Sequence, residues 1–161
     1  MTTDIEWVRI ERSFDAAIET IWQAWTDAAA FQQWYGPRGM QVPVAELDVV
    51  EGGRRKVCLL METPERTMKM WFVGEFREVS APHRLVYTDS MSDEDGNILS
   101  PQSMGMPPDH PETTEVIVEL SENDGRTVMT LTHVGVPAES GGAGGWSQAF
   151  DKLAERVEPA S

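Results

Sequence analysis

One off-pattern arginine and three histidines mark where this sequence could hold chemistry. Alternation along the run 126–134 puts Met129, Leu131 and His133 on one face of a strand, so the His133 imidazole points inward. There it could orient a polar group of a ligand or move a proton near neutral pH. It is only a weak catalytic candidate, because no Asp or Ser is placed by the sequence to complete a catalytic set. A strand-end imidazole hydrogen-bonded to backbone is the preferred reading. Arg55 shares its parity with Val57, Leu59 and Met61, where an apolar residue is expected. If it is inward, the guanidinium needs a carboxylate or an anionic ligand. The alternative, and the one preferred, is a position at the strand mouth with the charged head in solvent.

Other groupings fail on spacing. Asp93, Asp95 and Asn97 suggest a calcium loop, but the glycine comes at the fourth position and Met104 stands where the bidentate acid belongs, so the segment is expected to be a turn. Asp109-His110 with a lone cysteine gives no zinc spacing, and no metal is expected. There is no phosphate loop and no dinucleotide fingerprint, and Ser147 after Gly145-Trp146 is not a nucleophile elbow. No cofactor is expected.

The 161 residues carry 13 Lys+Arg against 27 Asp+Glu, a formal net charge of −14. Such a surface repels phosphate backbones and anionic headgroups, which argues against nucleic acid and membrane surfaces as partners. The opening Met1 to Glu6 lacks the basic and apolar regions of a secretion signal, and no run approaches the ~20 apolar residues of a membrane helix. A cytoplasmic protein is expected, and Cys58, alone, fits a reducing compartment.

These residues need elements to position them. Residues 7–14 alternate as a half-buried strand. Asp15 then reads as the N-cap of a helix carrying Ile18, Ile21, Trp22 and Trp25, and Thr26 or Asp27 as the cap of a second short helix with Phe31 and Trp34. Strand-like runs follow at about 41–50, 54–62, 67–79, 84–90, 113–121 and 126–134, the last two joined by the hairpin signal Asn123-Asp124-Gly125. The irregular stretch 91–111 is long enough to suggest a lid. Gly141 to Gly145 reads as a hinge before an amphipathic helix with Trp146, Ala149, Phe150, Leu153 and Val157 on one face. The sum is α+β: an antiparallel sheet of about seven strands with segregated helices, in one domain over 1–161 with a core of about 6–157.

Phe14-Asp15-Ala16, Ala24-Trp25-Thr26-Asp27, Trp34-Tyr35-Gly36-Pro37, Glu51-Gly52-Gly53-Arg54, Gly74 to Val79, Arg84 to Thr88, Thr130 to His133 and Gly145-Trp146 occur in the order of one superfamily. From about residue 6 to 157 the chain resembles the bacterial homologues of the C-terminal domain of the activator of the heat-shock chaperone ATPase, within the START-like superfamily. The resemblance implies a helix-grip fold, with a curved sheet wrapped around a long C-terminal helix and two short helices after the first strand. It also implies a cavity between sheet and helix. It does not imply one activity.

The expected cavity lining combines these readings. The strands contribute Arg55, Val57, Leu59 and Met61, then Met70, Phe72 and Phe76, then Tyr87, and Met129, Leu131 and His133. Helices and loops add Trp25, Trp34, Met104, Met106, Trp146, Phe150 and Leu153. The expected function is binding of a small hydrophobic molecule. One alternative is a cyclase or hydrolase acting on a polyketide-like substrate, with His133 moving a proton alongside Tyr87 or Glu75. A second is a protein-interaction module, although a chaperone partner is disfavoured. A homodimer is left open.

Overall fold

The computed structural model describes residues 7–104, 111–138 and 142–158. Seven strands form one antiparallel sheet: β1 (Trp7–Phe14), β2 (Met40–Leu47), β3 (Arg54–Glu62), β4 (Thr67–Ser80), β5 (Arg84–Ser92), β6 (Thr113–Asn123) and β7 (Arg126–Pro137). Their order across the sheet is β1-β7-β6-β5-β4-β3-β2. From β2 to β7 each strand pairs with its neighbour in sequence, and β1 returns to close against β7. The β6–β7 hairpin turns at Asp124 and Gly125, both with positive φ (53° and 78°), the conformation that an Asn-Asp-Gly run favours.

Three helices cover one face: α1 (Ile18–Thr26), α2 (Ala28–Phe31) and α3 (Gly142–Val157). α1 buries Ile18, Ile21, Ala24 and Trp25, and α3 buries Ala149, Phe150, Leu153 and Ala154, against Phe14, Phe76, Val116, Met129 and Leu131 of the sheet. Side chains of this size each contribute about 1.5–3 kcal/mol when fully buried.

Three local expectations are corrected. Asp15 does not cap α1. The helix begins after Ala17, which makes no side-chain cap, and the free amide of Ile18 donates instead to Glu122 Oε2 of β6 at 2.7 Å. Asp27 does cap α2, accepting from the Ala30 amide at 3.0 Å, but Trp34 lies beyond that helix's end. Residues 142–145 are the first turn of α3 rather than a hinge before it, while Gly141 lies outside the described residues.

Candidate functional site

The turn after α2, together with β3, β7 and the start of α3, borders a solvent-open cavity of about 270 Å³. Its walls are Tyr35, Gly36 and Pro37 from the turn, Leu59 from β3, His133 and Val136 from β7, and Gly145, Trp146 and Ala149 from α3. Gly36 adopts φ +86°, and a Cβ there would stand 3.2 Å from Leu59 Cδ2, so glycine both makes the turn and keeps the wall thin. Lys152 of α3 fastens the turn by donating to the Pro37 carbonyl at 3.3 Å. Burial pushes its ammonium pKa down.

Side chains engage both ring nitrogens of His133. The Trp146 indole N–H donates to Nδ1 at 3.2 Å, and Nε2 lies 2.8 Å from Thr114 Oγ1. Because the indole is a donor only, Nδ1 must carry the lone pair and Nε2 the proton. The Thr114 hydroxyl then passes its own hydrogen to the Asp89 carbonyl at 3.2 Å.

Deeper, a second chamber of about 70 Å³ is lined by Tyr35, Arg55, Val57, Leu59, Phe72 and Asp89. It shares Tyr35 and Leu59 with the outer cavity. Arg55 is 1% exposed, which overturns the solvent-reaching placement at the strand mouth. Its inward parity is satisfied by a carboxylate, with Nη1 3.3 Å from Asp89 Oδ1. The guanidinium centre also lies 3.9 Å from the Tyr87 ring centroid and 5.4 Å from those of Phe31 and Tyr35, an aromatic box around a cation. Tyr35 and Tyr87 join hydroxyl to hydroxyl at 3.1 Å. Nη2 is buried and finds no hydrogen-bond partner among the described residues.

Burial governs the ionisation of this group. Desolvation raises the Tyr35 and Tyr87 pKa values, so both remain neutral phenols. Desolvation also raises Asp89, with the Arg55 charge working against it. For Arg55 desolvation disfavours the cation, but Tyr87, Tyr35 and Asp89 outweigh it and hold the guanidinium above its ordinary value.

The remaining expected lining residues sit elsewhere. Trp25, Trp34, Phe76, Tyr87, Met129, Leu131, Phe150 and Leu153 are packed into the core beneath the two spaces. The indoles there are already engaged, Trp25 with Met129 Sδ and Trp34 with the Ala24 carbonyl. Met61 and Met70 are half-buried and on neither wall. Met104 ends a short 3-10 turn, Pro101–Met104, and Met106 lies outside the described residues. Glu75 points outward to Arg77 at 2.7 Å, so it is not at hand for His133. Tyr35 and Asp89 were not anticipated. Asp89 shares strand parity with Tyr87, so a second inward charge to match Arg55 was available in the sequence as a signal.

The model for the family described as activator of Hsp90 ATPase homolog 1-like protein matches residues 15–158. The chain belongs to that family. Solved structures agree on the fold of this family member across nearly its whole length. A protein from Mycobacterium smegmatis is 23% identical, with 99% of this chain and 98% of that one covered and a TM-score of 0.76. A Chromobacterium violaceum protein is 24% identical, with 95% and 97% covered and a TM-score of 0.72. The AHSA1 protein of Silicibacter pomeroyi is 22% identical, with 93% and 96% covered and a TM-score of 0.70. At these identities the likeness concerns the fold alone. No curated protein matches the chain. Among the described residues no helix is long and apolar enough to cross a membrane, and no group of three His, Cys, Asp or Glu could hold a metal ion.

Proposed function

We propose that this family member binds a small hydrophobic molecule in the outer cavity between β3, β7 and α3. The observation that carries the reading is the cavity itself: about 270 Å³ walled by Leu59, Val136, Trp146, Ala149 and the ring of Tyr35, with His133 the one imidazole among its described lining residues. A preformed concave space with mostly apolar walls and few polar groups is the usual form of a small-molecule site. The expected lid over 91–111 and the physiological ligand stay outside this reading.

Gly145 gives a direct test. It lies on the cavity wall, and a Cβ there would meet only Pro37 Cγ, at 3.4 Å. In a helix, replacing glycine removes a propensity cost of about 1 kcal/mol, so Gly145→Leu should fill the cavity without lowering the melting temperature. The wild type should take up the neutral fluorophore N-phenylnaphthylamine saturably at one per chain, and Gly145→Leu should bind it at least about tenfold more weakly. Unchanged uptake in a folded Gly145→Leu, or none in the wild type, would refute the reading. Native mass spectrometry of the protein from its own host, followed by denaturing extraction, would then name the resident molecule.

A further inference from the structure

The proposed apolar cavity leaves the inner chamber unexplained. A buried polar atom without a partner is rare, and it carries the full desolvation cost of that atom. Here the atom is Arg55 Nη2, on a side chain that is 1% exposed and lines the chamber. Tyr35 and Leu59 line both spaces, so a ligand whose chain occupies the outer cavity has only these two side chains to pass to place its end in the chamber. Resting on that binding reading, we infer that the inner chamber receives a terminal, uncharged carbonyl group of the ligand, whose oxygen accepts from Arg55 Nη2.

Size and charge both select this group. The chamber holds about 70 Å³, against roughly 10–15 Å³ needed by the same measure for one water. That admits a carbonyl and the methyl or hydrogen beside it. The guanidinium already faces Asp89 Oδ1 at 3.3 Å. An incoming carboxylate would set two anions against one cation in a low-dielectric site, whereas a neutral carbonyl satisfies Nη2 and adds no charge. The apolar members of the wall, Val57, Leu59 and Phe72, suit the carbon beside the carbonyl. Methyl ketones and aldehydes on an alkyl chain have this chemistry.

Isomers with equal hydrophobicity test it by calorimetry. Methyl heptyl ketone carries its carbonyl at the end of the chain, and dibutyl ketone, of the same composition, carries it in the middle. The methyl ketone should bind about tenfold or more tightly, the range of a hydrogen bond to a charged group. On binding, its carbonyl stretch should move to lower frequency in isotope-edited infrared spectra of the wild type. In Arg55→Met/Asp89→Asn, which removes both charges together, the preference and the infrared shift should both vanish while dibutyl ketone still binds. Equal affinities for the two isomers, or an unshifted carbonyl, would overturn the inference and leave the cavity reading standing. Tighter binding of nonanoate than of the methyl ketone would also overturn it, in favour of an anionic head. If neither ketone, nor nonane, nor the neutral fluorophore binds the wild type, the cavity reading itself fails and takes the inference with it.

Discussion

Arg55→Met isolates what the buried charge pair does for the fold. Removing the guanidinium leaves Asp89, whose side chain is only 15% exposed, with a carboxylate and no cation. Breaking a buried pair in this way costs about 3–5 kcal/mol, and the loss of a desolvated cation–ring contact such as that at 3.9 Å over Tyr87 is part of the same sum. Against this, the variant removes the unsatisfied Nη2, which relieves about 1–3 kcal/mol. The net expectation is a destabilisation of about 2 kcal/mol, or roughly 4–8 °C in melting temperature for a chain of this size. In Arg55→Met/Asp89→Asn no charge is stranded, and the loss should shrink to about 1 kcal/mol.

The assay is urea unfolding of wild type, both single variants and the double variant, which yields the coupling energy directly. The pH dependence supplies a sign. Desolvation already raises the Asp89 pKa, and Arg55 is the group that lowers it, so Arg55→Met must raise it further. An acid whose folded-state pKa exceeds its unfolded value contributes stability below the unfolded value and loses it as pH rises through the folded one. The single variant should therefore recover toward the double variant as the solution is acidified. A coupling energy near zero, or a gap between single and double variants that does not close on acidification, would refute the reasoning.

Three further outcomes follow from other contacts. Gly74→Ala would drive a Cβ into the Thr88 carbonyl oxygen where β4 runs beside β5, and should cost about 3 kcal/mol or more in denaturant unfolding. Glu122→Ala should remove the cap that β6 supplies to α1, costing about 1 kcal/mol and speeding hydrogen exchange at the Ile18 amide. Hydrogen bonds from the Asn97 backbone and side chain hold the exposed Asp93 carboxyl below its ordinary pKa. Its contribution to the 93–97 turn is thus present above the unfolded value and lost as pH falls through the folded one. Carboxyl NMR titration should place Asp93 low, and Asn97→Ala should move it part-way back.

Local rules carried the sheet. Alternation located β1 at 7–14 and β3 at 54–62, the residues observed, because one buried face forces a period of two. Asn123-Asp124-Gly125 marked its hairpin because few other residues accept positive φ at successive positions. What was illegible depends on partners distant in the chain. The α1 cap comes from Glu122, 104 residues away, so the nearby Asp15 was the natural but wrong choice. Parity alone does not bury Arg55, because its compensating acid is 34 residues downstream on a strand two places across the sheet. Pairing the two inward charges would have placed it correctly. Tyr35 gave no signal of its own. It falls after the short helix α2, where no period applies, and gains its role only when the turn folds over Leu59.

The same geometry bears on what His133 does. To serve as a general base, Nδ1 would have to give up the indole proton of Trp146, and to serve as an acid, Nε2 would have to leave Thr114. Either step breaks a run of donors that all point one way, from Trp146 through His133 and Thr114 to the Asp89 carbonyl. That run ties the first turns of α3 to β7, β6 and β5 in succession. It fixes the indole that walls the outer cavity and, at its far end, the backbone of the residue whose carboxylate faces Arg55. A group engaged on both ring nitrogens, on the wall of the outer cavity, is placed to hold the relative positions of α3 and these strands. On this argument the imidazole is a strut that holds the wall of the outer cavity to β6 and β5, and on the proposed binding reading the choice between ligands falls to Arg55.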